Sequence, residues 1–299
     1  MSYDTYLKPR NSDITAEDVL SFLSERNVYR VNAGQAFYEN EDTGVYFSFE
    51  RNEPLEEEFG DEEESDEEEG SSIDEYPIAF NINLFRPSYF ALEAEMELSR
   101  VVGEFDLSIF DPQTSGMGIG EYDANRFIQG WNASNRAAAR SILSEPEDRQ
   151  EIFSMPCAKL ERIWRWNYGK YEFQNELGDS IFVPQVMFFE INDGPAAVLV
   201  WSDAIPTAFT EVDYVAIYRD EYAPRRWFRR QEYSLDFVPW GDVEQLIGSI
   251  SRKEGDVFLA SYDDPPTEVR EYFRNLKAKN IDAAAIDPAL VLDEELFDQ

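Results

Sequence analysis

Apolar and polar residues alternate with a period of two on both sides of a long acidic interruption. Val45, Phe47 and Phe49 alternate with Tyr46, Ser48 and Glu50, and Ile78, Phe80, Ile82 and Leu84 alternate with Ala79, Asn81 and Asn83. Each segment carries the signature of a half-buried strand, and the two are expected to pair. Upstream, a strand is expected over 3–7, followed by a helix that Thr15 caps and Asp18 answers three residues later, with Ile14 and Val19 as a hydrophobic staple. Val19, Leu20, Phe22 and Leu23 give that helix its buried side. Short strands follow near 28–31 and 36–38, and Asn40-Glu41-Asp42-Thr43-Gly44 reads as a hairpin turn in which Gly44 takes positive φ. Beyond the second strand, Ser88 reads as the cap of a helix with Leu92, Met96 and Val102 inward, ending near Gly103. A strand over 105–110 comes next.

A further helix runs through Ala124, Phe127, Ile128, Trp131, Ala138 and Ile142, and the segment Ser144-Glu145-Pro146-Glu147-Asp148 breaks the pattern. The next helix carries Leu160, Ile163, Trp164, Tyr168 and Tyr171 and stops at Leu177-Gly178. Strands are expected at 181–191, 196–201, 212–218, 233–238 and 257–260, with helices over 242–250 and 267–276. The acidic end, 287–299, reads as loose. These elements predict an α+β fold, with mainly antiparallel sheets and helices packed on one face. The break at 144–148 divides the chain into an N-terminal lobe, 1–148, and a C-terminal lobe, 149–299, unless the two form one continuous domain.

Charge changes the picture. Fourteen of the 23 residues from Glu53 to Glu75 are acidic and none is basic, within a 299-residue chain of net charge −36. Mutual repulsion and the scarcity of apolar side chains predict a disordered insertion between the two paired strands. Lengthening a loop costs only about 0.6 kcal/mol per doubling, so the sheet tolerates it. Outside the run, 48 acidic and 26 basic residues leave a net −22, so the folded surface is acidic as well. Such a field repels nucleic acid and anionic membrane and attracts basic partners. Halophilic adaptation is an alternative source of the excess, and the six lysines against twenty arginines fit it.

Several chemistries are excluded. There is no histidine, so neither a Ser-His-Asp nor a Cys-His nucleophile system is available within the chain. With one cysteine, Cys157, there is no internal disulfide, and zinc lacks its usual ligands; no metal or other cofactor is expected. No apolar stretch approaches the length of a membrane span, and the start lacks a signal-peptide pattern, which predicts a cytoplasmic location.

Three constellations remain. Gly116-Met117-Gly118-Ile119-Gly120, with Gly116, Gly118 and Gly120 as the ligand-binding residues, sits where a phosphate loop would lie. Its GxGxG spacing departs from the dinucleotide fingerprint, however, and a flexible loop is the simpler expectation. Asp263-Asp264-Pro265-Pro266 is the most compact carboxylate pair and reads equally as a turn. Arg225, Arg226, Trp227, Arg229 and Arg230 form a basic cluster suited to bidentate anion binding, or to neutralising the protein's own acidic run. Trp166 falls off the Trp164 stripe and marks a partner surface or a second packing contact. Glu62, Glu63 and Glu64 stand for the acidic run as a partner-binding element.

The segments Tyr3–Arg10, Asn40–Glu50, Phe80–Pro87 and Glu161–Gly169 resemble a family of uncharacterised acidic bacterial cytosolic proteins. That resemblance implies a bacterial context and a toxin-immunity-like role, and supplies no catalytic residues. The expected function is an acidic interaction module, an immunity protein or inhibitor that neutralises a basic secreted toxin. A carboxylate- and magnesium-dependent or nucleotide-binding enzyme and a halophilic housekeeping domain are the alternatives.

Overall fold

A computed structural model of the chain describes residues 1–52, 73–144, 152–222, 234–277 and 281–297, with the backbone of 225–226 and 229–230. Most of the acidic run and all of the expected break at 144–148 except Ser144 lie outside the described residues. The chain separates into two compact units, one of residues 1–152 with 292–299 and one of residues 153–291. It is an α+β protein.

The first unit is built on a seven-stranded sheet of β1 (Ser2–Pro9), β2 (Tyr29–Asn32), β3 (Gln35–Asn40), β4 (Val45–Arg51), β5 (Ile78–Asn83), β6 (Leu107–Asp111) and β7 (Gly118–Gly120), in the order β2-β3-β4-β5-β1-β6-β7. Every neighbouring pair is antiparallel. The two alternating segments become one ladder, with Ser48 opposite Asn81 and Glu50 opposite Ala79. The acidic run thus joins adjacent strands. Its flanks are tied together as well, because the Asn52 side chain donates to the carbonyls of Ile73 and Tyr76.

Three helices, α1 (Ala16–Ser24), α2 (Tyr89–Phe105) and α3 (Ala124–Ser144), cover one face of this sheet. Helix α1 starts with the expected capping box between Thr15 and Asp18, and Arg51 at the end of β4 pairs with its Glu17. Phe127 of α3 meets Tyr3 and Phe80 edge-on, each at 5.9 Å between ring centroids. Gly130 is required there, since a Cβ would fall 2.5 Å from the Tyr3 hydroxyl.

Helix α2 departs from its expected orientation. Leu92, Met96 and Val102 are half-buried, and the helix buries Phe90, Glu93, Ala94, Glu97, Leu98 and Val101 instead. Two carboxylates can face the sheet because the sheet offers donors. Glu93, fully buried, accepts from the Tyr38 hydroxyl (2.7 Å), the Asn40 amide (2.8 Å) and the Thr43 hydroxyl (3.1 Å). Glu97 accepts from Arg26, from Arg100 (2.5 Å) and from the Tyr29 hydroxyl (3.0 Å). The helix passes through Gly103 to Phe105 and ends on Asp106 in the left-handed region.

Ser88 does not cap α2 with its side chain. The Asp293 carboxylate accepts from the Ser88 N–H and hydroxyl, both at 2.7 Å, and places negative charge at the helix N-terminus. The expectation of a loose acidic end fails at its middle: Val291, Leu292 and Asp293 are buried, and Leu292 packs with Phe85 and Ala139. Leu296 packs against the same cluster, so apolar residues between the acidic ones anchor the segment.

The second unit contains β8 (Phe153–Met155), β9 (Val186–Ile191), β10 (Gly194–Ser202), β11 (Thr207–Phe209), β12 (Tyr214–Arg219), β13 (Arg225–Arg226), β14 (Arg229–Arg230), β15 (Ser234–Pro239), β16 (Ser251–Glu254), β17 (Val257–Ala260) and β18 (Ala283–Ile286). Its helices are α4 (Cys157–Tyr168), α5 (Lys170–Leu177), α6 (Trp240–Ile250) and α7 (Thr267–Asn275). The five-stranded sheet runs β15-β12-β10-β9-β18, with β10 and β12 parallel, and β11-β17-β16 form a three-stranded sheet. The helix expected over 160–177 is two helices, broken at Gly169. Arg219, wholly buried, fastens β12, β15 and α7 together. It donates to Asp236 (2.5 Å), Ser234 (3.0 Å) and the Phe273 carbonyl (2.8 Å).

Burial by itself would raise the Glu97 carboxyl, but the hydrogen bond and charge of Arg26, with Arg100 and Tyr29, more than offset it and hold it below the ordinary value of 4.5. A carboxyl depressed by folding stabilises above its unfolded value, and that contribution is lost as pH falls through the folded one. Urea denaturation followed from pH 7 to pH 3 should therefore show stability falling below about pH 4.5. Glu97→Gln should flatten that limb and lower stability at pH 7 by about 3 kcal/mol, because Arg26 loses its buried counter-charge.

Candidate partner-binding face

The face of the seven-stranded sheet opposite the three helices carries the residues that alternate outward. Cross-strand register sets them in two rows. One row runs Asn32, Gln35, Glu50, Ala79, Tyr6, Phe110, Ile119, and the other runs Arg30, Phe37, Ser48, Asn81, Asp4. Ala79 stands between Glu50 and Tyr6, so the small side chain makes a low point flanked by a carboxylate and a phenol. Neighbouring strands lie about 4.8 Å apart, which puts Glu50 and Tyr6 roughly 10 Å from each other across it. Aromatic rings border the rows: Tyr6 lies 6.0 Å from Phe110, Tyr76 5.5 Å from Phe110, and Phe37 stacks at 6.3 Å on Tyr46.

Two carboxylates of this face, Glu50 and Asp4, are held by neutral donors, whereas the third, Glu39, pairs with Arg30. Glu50 accepts on Oε1 from the Gln35 amide (2.6 Å) and the Ser48 hydroxyl (2.7 Å). Asp4 accepts from the Asn81 amide and from the Ser2 hydroxyl at 3.0 Å. Neither has a basic side chain in contact among the described residues. Burial first, and then the charge of the neighbouring Asp4, raise the Tyr6 phenol above its ordinary value.

Seven basic residues of this unit are engaged by groups other than Asp4 and Glu50, although Lys8 and Arg30 stand on the same outward phase of the sheet. Lys8 pairs with Glu75, Arg10 with Asp106 and Glu121, Arg26 and Arg100 with Glu97, Arg30 with Glu39 and Arg51 with Glu17, while Arg86 donates to the Tyr46 hydroxyl. The first unit holds 39 acidic against 11 basic residues and the second 23 against 15. The acidic excess is concentrated in the unit that presents the open face.

The glycine segment has a different use from phosphate binding. The Asp111 carboxylate folds the loop onto itself, accepting from the N–H groups of Gln113 (3.0 Å) and Met117 (2.9 Å) and from the Tyr3 hydroxyl (2.5 Å). An internal carboxylate thus takes the amides that an external anion would need. Gly116 lies against it, where a Cβ would overlap the carboxylate, and Arg126 donates to the Gly116 carbonyl at 3.1 Å. Gly118 and Gly120 belong to the edge strand β7, both with positive φ.

Trp166 makes a packing contact. It is half-buried against the cluster of Ile181, Val183, Ala208 and Leu259, and its indole N–H donates to the Pro184 carbonyl at 2.8 Å. Arg225 pairs with Arg230, and Arg226 with Arg229, as the backbone of the two-stranded β13–β14 ribbon. Trp227 and the acidic-run residues Glu62, Glu63 and Glu64 lie outside the described residues. Asp263 and Asp264 are exposed at a bend, and Cys157 is half-buried as the first residue of α4. No helix is long and apolar enough to cross a membrane among the described residues.

Sequence reasoning did not single out Asp4, Tyr6, Glu50 or Ala79. The available signal was their outward phase in strands that were themselves readable. No protein-family model, no curated protein and no solved structure matches the chain.

If the glycine loop is shaped around Asp111, Gly116→Ala should lower the free energy of unfolding by about 1–3 kcal/mol with no ligand present. An unchanged denaturation midpoint would show that the loop tolerates a side chain there and is not closed on the carboxylate.

Proposed function

We propose that the chain is an acidic interaction module that captures a basic protein on the open face of its first unit, most concretely an immunity protein or inhibitor that blocks a basic toxin. The observation that carries this reading is the pair Asp4 and Glu50, fixed by neutral donors on the face around Ala79 and Tyr6, with no basic side chain in contact with either among the described residues. Carboxylates held in this way need no reordering when a lysine or arginine arrives, which lowers the entropic cost of binding. The apolar stem of such a side chain fits over Ala79, and its charged end meets Asp4 or Glu50. The net charge of −36 accelerates encounter from a distance, and the bordering Tyr6, Phe110 and Tyr46 provide the contact area that slows dissociation.

The test begins with capture of the partner from the native host on the full chain. The affinity of that partner is then compared for the wild type, for Asp4→Asn with Glu50→Gln, and for deletion of 54–74. The double neutralisation should weaken binding by about tenfold or more, which is about 1.4 kcal/mol, chiefly through faster dissociation. The deletion should slow association and reduce its salt dependence. Affinity and salt dependence unchanged in both variants would overturn the proposal, as would a captured partner that is itself acidic.

A further inference from the structure

The three larger sheets have six edges, and five of them are closed to a further strand in recognisable ways. Strand β2 carries the exposed Arg30, and β16 the exposed Arg252, Lys253 and Glu254. In β7, Gly118 and Gly120 take positive φ, which departs from strand geometry. The edge of β11 is covered by Phe182, whose N–H donates to the Pro206 carbonyl and whose carbonyl accepts from the Ala208 N–H. Strand β15 has four of its six residues buried and ends on Pro239. The sixth edge is β18, Ala283-Ala284-Ala285-Ile286, which has no charged residue, glycine or proline. Ala284 and Ala285 are exposed.

Register fixes which backbone groups this edge presents. Asn192 and Asp193, both in the left-handed region, form a two-residue turn between β9 and β10, which makes Ile191 and Gly194 a hydrogen-bonded pair. Such pairs alternate along an antiparallel ladder, so Phe188 and Glu190 turn their N–H and C=O groups away from β10 and towards β18. The Ala197 N–H, opposite Phe188, agrees with this phase, because it points away from β9 and donates to the Asp213 carboxylate at 2.7 Å. The residues of β18 that face Phe188 and Glu190 are Ile286 and Ala284. Ala283 and Ala285 therefore direct their N–H and C=O groups outward, and these groups have no partner among the described residues.

Charge narrows what can pair there. Asp282 and Asp287, both exposed, bracket the strand, and Asp287 is fixed beside its end by accepting from the Ala289 N–H at 2.9 Å. If a second copy paired antiparallel with all four residues in register, each Asp282 would stand opposite an Asp287, and like charges in that position are destabilising. A segment with a basic residue at each end of four strand-forming residues meets both carboxylates with opposite charge.

We propose that β18 takes up an extended segment of a basic partner by antiparallel strand addition, with a lysine or arginine opposite each of Asp282 and Asp287. The outward groups of Ala283 and Ala285 hold the segment's backbone, and the two end charges select its sequence. The small side chains of Ala283 and Ala285, beside Ile191 and Phe189, leave room for larger side chains on the added strand. The inference rests on the second unit alone and is independent of the function proposed for the face of the first.

The test is calorimetric titration of the full chain at pH 7 with the peptide acetyl-Lys-Thr-Val-Thr-Val-Lys-amide. Two control peptides accompany it, one with glutamate in place of both lysines and one with both valine N–H groups methylated. The lysine peptide should bind saturably, and each control at least about tenfold more weakly. Asp282→Lys should weaken the lysine peptide and tighten the glutamate peptide, each about threefold. Ala285→Pro removes an outward N–H that the sheet does not use, and it should weaken the lysine peptide at least about tenfold. Should that variant fail to fold, Asp282→Lys and the methylated peptide still decide. No saturable binding of the lysine peptide, equal affinity for the methylated one, or Asp282→Lys without effect on either charged peptide would overturn the proposal. So would a stable dimer of the chain that Ala285→Pro converts to monomer, because the edge would then belong to a second copy.

Discussion

The first unit depends on two carboxylates buried between a helix and a sheet. Glu93 and Glu97 lie one helical turn apart on α2, and each is tolerable in the interior only because hydroxyls, an amide and guanidiniums converge on it. An apolar stripe would allow the helix to slide or rotate at small cost. These two groups do not, because displacement by one turn strands a buried charge. The rotation of α2, the choice of covered sheet face and the presentation of the opposite face therefore follow from one constraint. Glu97 also engages both Arg26 and Arg100, which pairs off two cations of a unit that has few.

The same device recurs wherever the fold joins distant segments. Asp111 closes the β6–β7 connection, Asp293 ties residues 292–299 to the start of α2, and Asp236 holds Arg219 between strands and helix in the second unit. At all three sites the donors are backbone N–H groups, hydroxyls or an arginine rather than a lysine. An acidic chain with few lysines can bury carboxylates in this way and still leave a strongly negative surface. Asp4 and Glu50 differ from this group: neutral donors hold them on a half-buried face, and the negative charge remains available.

Much of this architecture was legible in the sequence, because strands that are buried on one face alternate with a period of two. The flanks of the acidic run pair as the alternation at 45–50 and 78–84 indicates, and Thr15 with Asp18 caps α1 as the spacing indicates. The failures share a physical cause. Apolar patterning assigned Leu92, Met96 and Val102 to the interior of α2, since it cannot foresee that Tyr38, Thr43 and Arg26 will receive two glutamates. Capping rules chose Ser88 and could not see Asp293, more than two hundred residues away in the chain. The site residues suffered in the same way: the eye goes to glycine and arginine clusters, whereas Asp4, Glu50 and Tyr6 gain meaning only through cross-strand register. Trp166 was readable as off its stripe, but which surface it covers required the fold.

The central claim is that the open sheet face of the first unit is the receptor for a cationic partner, and side-chain amide resonances report on it most directly. The Asn81 amide donates to Asp4 and the Gln35 amide to Glu50, so both sense any cation that arrives at those carboxylates. Titration of labelled full chain with the captured basic partner should shift or broaden these two resonances first, with little change at the Asn167 amide, which is buried in the second unit. Saturating partner that leaves Asn81 and Gln35 unmoved, while resonances elsewhere shift, would contradict the account.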